Sequence, residues 1–293
     1  MASIITQSDS DWPDPYEEGL EYVSLIDALE SPGTLVLVTP GGFGSTPPAN
    51  GGTVTNRFRD QAATLIGATP SDADLSVWSL GASLGVLQEI TPKGGLHVGI
   101  PVSATGNAGM DLNMKAPLYN YLRTSGHEFY FSAHFFRTRL ALTAPGTPGN
   151  GSALMSVNAG VTQLASGQLV GMGSVPVMPS PPAIVGKQRG VTTNVLGPVL
   201  ADAAVKNTSA ALTGAVAYDS QNATLWNMGP RNYNAQNSRR GAQGATILYR
   251  LVVEDLTVSG RTWEQVDKID QAIYAREFGT GGTLLADTYT AAP

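Results

Sequence analysis

The sequence predicts an all-β protein, an antiparallel β-sandwich with a short helix near its start and one helix near its end. Three observations carry that expectation. Charged residues make up 14% of the 293, against about 25% in an average soluble chain, while 34 glycines and 19 prolines punctuate it, so turns are frequent and helices few. The stretch "HEFYFSAHFFRTRLAL", His127 to Leu142, reads as one long strand with rings on both faces. Phe129, Phe131, Ala133 and Phe135 point one way, and Tyr130, Ser132, His134 and Phe136 the other, which suits a central strand covered on both sides. A second long strand, "TILYRLVVEDL" from Thr246 to Leu256, is expected to pair with it. Strict alternation there puts Ile247, Tyr249, Leu251 and Val253 on one face and Leu248, Arg250, Val252 and Glu254 on the other.

Taken in order, residues 1–33 form an arm and a short helix. Pro13 and Pro15 keep "DWPDPYEEG" extended, and "LEYVSLIDALE" (Leu20 to Glu30) has Leu20, Val23 and Ile26 at helical spacing before Ser31-Pro32-Gly33 stops it. Residues 34–258 form the sandwich with long loops. "TLVLVT" (Thr34 to Thr39), "LSVWSL" and "GLHVGI" are β-rich runs between turn clusters, hence strands. From Leu140 to Gly186 there is no charged residue, yet apolar runs recur every few positions, unlike a disordered segment. That stretch fits either extended sandwich hairpins or a surface covered in an assembly.

Residues 259–293 form a helix and tail packed on the sandwich. In "TWEQVDKIDQAIYAREFG", Thr262 and Gln265 make a capping box, Val266, Ile269 and Ile273 form the buried stripe, and Gly279 sits where a left-handed C-cap belongs. The arm and the "DTYTAAP" tail are expected to lie against this subunit or a neighbour, because free ends fray unless tied down.

Composition excludes several function classes. The net charge is -6 and no basic block exceeds Arg239-Arg240, so nothing matches a phosphate backbone and nucleic acid is not an expected partner. Zero cysteines exclude disulfides, thiolate chemistry and Cys-based zinc sites. The opening "MASIITQSDSDWPDPYEEG" has no basic n-region, and no apolar run approaches the ~20 residues of a bilayer span, so a soluble chain made in the cytoplasm is expected. The sequons at Asn150, Asn207 and Asn222 carry no weight without a secretory route.

Of the chemical motifs, "GASLG" (Gly81 to Gly85) matches a nucleophile elbow with Ser83 as nucleophile, following the strand-like "LSVWSL". The required order of Ser, acid, His is missing, since the histidines are His97, His127 and His134 and none follows them. "GMGSVP" and "AIVGKQ" both fail the phosphate-loop spacing. Glu254 and Asp255 are adjacent and point to opposite faces, unlike a glycosidase pair, and Arg250 is the expected partner of Glu254. No metal site is expected from three scattered histidines, each better read as a satisfied core or edge residue, and no cofactor is expected. A loop calcium site at "AYDSQNATLWN" lacks EF-hand spacing. "DSQNATLWNMGPRNYNAQNSRR" gathers Trp226, Asn227, Arg231 and Tyr233, an aromatic platform with amide and guanidinium donors such as a glycan site uses; the alternative is a polar loop with one core tryptophan.

The block "LYRLVVEDLTVSGRTWEQVDKIDQAIYAREFGTGG", with the "FYFSAHFFRTR" strand, resembles uncharacterised structural proteins of tailed bacteriophages and prophages in the concanavalin A-like or laminin G-like jelly-roll group. The resemblance implies two packed antiparallel sheets with the two long strands in their middle, and carries no catalytic or sugar-binding residues. The expected function is a non-enzymatic component of a virion, in the tail, fibre, adsorption apparatus or capsid decoration, whose partners are other virion proteins and copies of itself. The alternative is a lectin-like module for a host surface glycan; the third is a serine hydrolase using Ser83.

Overall fold

The computed structural model describes residues 28–80, 84–101, 103, 108–140, 153–158, 168–173, 188–189, 195–206, 218–220, 223–228 and 244–293. Thirteen strands among them form two antiparallel sheets. In chain order these are β1 (Thr34–Val38), β2 (Thr53–Val54), β3 (Leu75–Leu80), β4 (Leu87–Ile90), β5 (Leu96–Gly99), β6 (Gly109–Asn113), β7 (Glu128–Arg139), β8 (Ala153–Asn158), β9 (Gln168–Gly173), β10 (Gln188–Arg189), β11 (Gly197–Lys206), β12 (Ala223–Met228) and β13 (Ala245–Asp255). The first sheet runs β10-β11-β7-β13-β5-β4, with β1 sharing the far edge of β13 with β5; the second runs β2-β3-β6-β12-β8-β9.

The two ring-rich strands lie side by side in the middle of the first sheet, as expected. β7 and β13 pair antiparallel from Ala245↔Arg139 to Asp255↔Phe129. Phe129, Phe131, Ala133 and Phe135 join the main core with Leu112 and Trp226 of the second sheet, and Phe135 meets the Trp226 ring at 5.0 Å. The result is a sandwich-like, mainly-β fold.

The faces of β13 differ from strict alternation. Leu248 pairs with Phe135 and Arg250 with His134, leaving Tyr249 as one extra residue, a β-bulge. The bulge shifts the phase by one. Leu248, Leu251 and Val253 face the core, whereas Ile247 and Tyr249 pack with Phe278 and Leu284, and Val252 with Val266 and Ile273. Ile247 and Tyr249 therefore do not share a face with Leu251 and Val253.

Among the described residues four complete α-helices accompany the sheets: α1 (Arg59–Ile66), α2 (Ala116–Thr124), α3 (Leu256–Ser259) and α4 (Trp263–Phe278). The expected helix over Leu20–Glu30 lies almost wholly outside the described residues, while α1 and α2 are additions to the sequence-based expectation. Both are short, and α1 buries only Ala62 and Ala63, too little to show as a stripe. α4 matches its sequence signature: Thr262 accepts from Gln265 N–H in a capping box, and Val266, Ile269 and Ile273 are buried. Gly279, by contrast, is extended (φ -69°, ψ -179°) rather than left-handed. Its place belongs to glycine because a Cβ would strike the Ala275 carbonyl.

β1 pairs with β13 on one side only, and its other edge is closed by a side chain. Asn56, buried, accepts from Leu37 N–H (2.9 Å) and donates to the Leu35 carbonyl (2.6 Å), and Arg57 N–H donates to the Leu37 carbonyl (3.0 Å). A buried backbone edge is thereby satisfied without another strand.

Phe135 is fully buried against Trp226. Phe135→Ala is expected to cost about 3–5 kcal/mol, measured by urea unfolding, with the Trp226 environment loosened in the native fluorescence.

Candidate functional site

The residues expected to form a glycan site are not brought together as a surface. Trp226, on β12, is fully buried between the sheets, and Asn227 is buried beside it. A ring with no solvent face cannot serve as a sugar platform, so the core-tryptophan alternative describes this position. Arg231 and Tyr233 lie outside the described residues, as does Ser83. Arg250 does not pair with Glu254 either. Glu254 is held by the Nε and Nη2 of Arg261, which also reaches the carbonyls of Ala28 and Leu29, and Arg250 turns to Glu277.

What the fold does assemble is four histidine–carboxylate pairs around three histidines. His134, on the outer face of β7, is fully buried under α4. Its Nε2 lies 2.8 Å from Asp270 Oδ1 and its Nδ1 3.3 Å from Glu277 Oε2; Tyr130 Oη donates to the other Asp270 oxygen at 2.9 Å, and Arg250 binds Glu277. Burial alone would lower the His134 pKa, but the Asp270 and Glu277 carboxylates outweigh it and raise it above the ordinary value. Burial pushes Asp270 and Glu277 up, and their cationic partners bring both below the usual range. The helix is thus clamped to the sheet by charges.

His97, on β5, faces Glu89 directly across the β4–β5 hairpin. Its Nδ1 lies 2.7 Å from Glu89 Oε1 and its Nε2 2.9 Å from Thr138 Oγ1 on β7. Burial lowers its pKa more than Glu89 raises it, so the ring is neutral near pH 7. Nδ1–H then donates to the carboxylate and Nε2 accepts the Thr138 hydroxyl. His127, ahead of β7, keeps 30% of its side chain exposed, and its Nδ1 lies 2.7 Å from Asp255 Oδ2. Tyr121 Oη donates to the same oxygen at 2.7 Å, while Oδ1 caps α3 by accepting from Val258 N–H at 3.0 Å. Burial first, then Asp255, raises the Tyr121 pKa.

A strap of chain, Asp287–Pro293, covers the His97 pair. Thr290 donates to Glu89 twice, N–H to Oε1 at 2.8 Å and hydroxyl to Oε2 at 2.6 Å. Tyr289 sets its ring edge-on to His97 (5.5 Å) and against Phe136 (5.9 Å). Asp287 accepts from Lys93 N–H at 3.1 Å and from Tyr249 Oη at 2.7 Å, and Arg139 reaches the Pro293 carbonyl. The tail lies along its own body, and the arm over residues 1–27 lies outside the described residues. Of the histidine–carboxylate contacts the Glu89–His97 pair is legible in sequence, as facing residues of one tight hairpin; the others join positions more than a hundred apart.

No group of three His, Asp or Glu among the described residues is arranged to hold a metal ion, and none of the described helices is long and apolar enough to cross a membrane. Fold and site together define a mainly-β, sandwich-like protein whose histidines are tied into carboxylate pairs. Comparison with protein-family models, curated proteins and solved structures finds no match to this chain.

The two buried histidines predict opposite pH limbs. His134, raised above 6.5, contributes stability that is complete below pH 6.5 and lost as pH rises through its folded value. His97, lowered below 6.5, contributes a term complete above pH 6.5 that is lost as pH falls toward its folded value. Denaturant midpoints measured across pH should lose the alkaline decline in His134→Gln and the mildly acid decline in His97→Gln.

Proposed function

We propose that this protein is a non-enzymatic structural component of a phage virion that works through protein–protein assembly, in the tail, fibre, adsorption apparatus or capsid decoration. The carrying observation is an apolar end of the sandwich. Five of the eight large apolar side chains exposed among the described residues, Leu80 (48%), Leu84 (37%), Leu140 (37%), Val195 (50%) and Leu196 (61%), stand at strand ends that the register places together. Gly197 pairs with Arg137 near the end of β7, Leu87 with Gly99, and Leu80 with Gly109, and the short connections β3–β4 and β5–β6 join the two sheets at that same end.

In sequence, the charge-free run 141–152 follows β7 and the charge-free run 174–186 follows β9, whose Gly173 pairs with Ala153 at the start of β8. An apolar end is what an interface core requires and what a monomer avoids. The jelly-roll topology and the virion setting rest on the sequence resemblance. Both imidazole nitrogens of His97 and of His134 already hold partners, which favours a structural role for them over general-base work.

Light scattering on the purified chain is expected to give a discrete oligomer at micromolar concentration. Leu196→Lys should weaken that association by about tenfold or more, equivalent to ~1.4 kcal/mol, with an unchanged thermal midpoint. A strict monomer at every concentration that also fails to bind virion proteins refutes the reading.

A further inference from the structure

We infer, independently of the assembly reading, that Asp287–Pro293 is an acid-opened latch: it stays closed over His97 while that ring is neutral and lifts from the sheet when the ring gains a proton. Packing sets where the latch hinges. Leu284 is buried against Ile247, Tyr249 and Phe278, which fixes the chain up to that point. Beyond it Leu285 and Tyr289 remain 44% and 41% exposed, so closure gains little from apolar burial. Hydrogen bonds at a wet surface hold the segment instead, each weak on its own.

The groups around His97 decide how the ring tolerates charge. Glu89 faces it from β4 at Nδ1, and Thr138, on β7, meets Nε2 through its hydroxyl. Arg139, also on β7, brings a positive charge close, and the latch supplies Asp287 and the Tyr289 ring, 5.5 Å away. On β13, Ile247 lies directly opposite His97, and the Tyr249 hydroxyl is engaged by Asp287. Lys93 reaches the same Asp287 through its backbone N–H.

A neutral ring satisfies both sides, donating to Glu89 and accepting from Thr138. An added proton turns Nε2 into a donor and makes a cation of a ring that is 0% exposed and close to Arg139. Glu89 favours that cation, but its carboxylate is shared, because Thr290 donates to both oxygens. Burial outweighs Glu89 and keeps the ring neutral. The segment lying over His97 supplies part of that burial; lifting it lets solvent reach the imidazolium and leaves Glu89 to pair with it alone. Linkage runs both ways: as far as the closed latch opposes the proton, the proton opposes the closed latch.

The two groups act in different pH windows. His97 is lowered below 6.5, so its support for closure is complete above pH 6.5 and lost as pH falls toward the folded value. Burial pushes Glu89 up, but hydrogen bonds from His97 and Thr290 bring it below 4.5, so its hold on Thr290 fails only in stronger acid. Opening in mild acid therefore belongs to His97.

A fluorophore on Ala291→Cys, an exposed position in a chain with no other cysteine, reports the latch through its anisotropy. In the full-length protein the anisotropy is expected to drop reversibly between about pH 7.5 and about pH 5.5, with constant far-UV circular dichroism, and His97→Gln should remove the drop. Tyr289→Ala tests the reverse direction from the exposed segment, without touching the core. In that variant the His97 ring, followed by proton NMR, should titrate at higher pH by about half a unit or more. An anisotropy that stays flat, falls only together with the circular dichroism signal, or still falls in His97→Gln overturns the latch, as does a His97 titration that Tyr289→Ala leaves unmoved.

Discussion

The structure depends on covering both faces of β7 and β13 at once. Their inner faces meet the second sheet in an apolar core, but their outer faces present His134, Arg250, Tyr130 and Ser132 among apolar neighbours, and those groups are fully buried. α4 answers with Asp270 and Glu277 on the helix face that also carries Val266, Ile269 and Ile273. Burying such charges is expensive, and the pairing roughly offsets that cost; removing one partner leaves an uncompensated charge, a loss of about 3–5 kcal/mol in comparable sites. An apolar helix face alone would tolerate sliding along the sheet. A carboxylate that must meet one imidazole and another that must meet one guanidinium accept a single position.

The bulge at Tyr249 makes this arrangement possible. Without it, Tyr249 would point into the space between the sheets and Leu248 out toward the helix. With it, Tyr249 and Arg250 both lie outside, so one strand supplies the ring that packs on Phe278 and Leu284, the hydroxyl that holds Asp287, and the cation that holds Glu277. The helix clamp and the strap groove are therefore neighbours on one surface, built from the same few residues of β13.

The sequence made the two central strands, their pairing and the capping box of α4 legible, because period-two rings and local capping chemistry need only near neighbours in the chain. It hid the bulge, since "ILYRLVVE" alternates equally well with or without an extra residue, and only the partner strand decides. Strand spacing points Arg250 to Glu254, whereas Glu277 and Arg261 take those partners from outside the strand. Trp226 had a surface and a core interpretation because its neighbours Leu225 and Met228 are apolar and the loop after it is polar; burial against Phe135 selects the core. The histidine pairs were mostly invisible for a different reason. His127 meets Asp255, and His134 meets Asp270, across more than a hundred residues.

One consequence concerns synthesis. β13 is flanked by β7 on one side and by β5 and β1 on the other, so strands from early and middle parts of the chain all wait for residues near 250 to complete their sheet. A ribosome must therefore deliver most of the polypeptide before the nascent β1 and β5 can find their neighbour. Until then the unpaired edges of β7 and β5 stay open to wrong partners, which makes this a slow-maturing chain with a need for protection while it emerges.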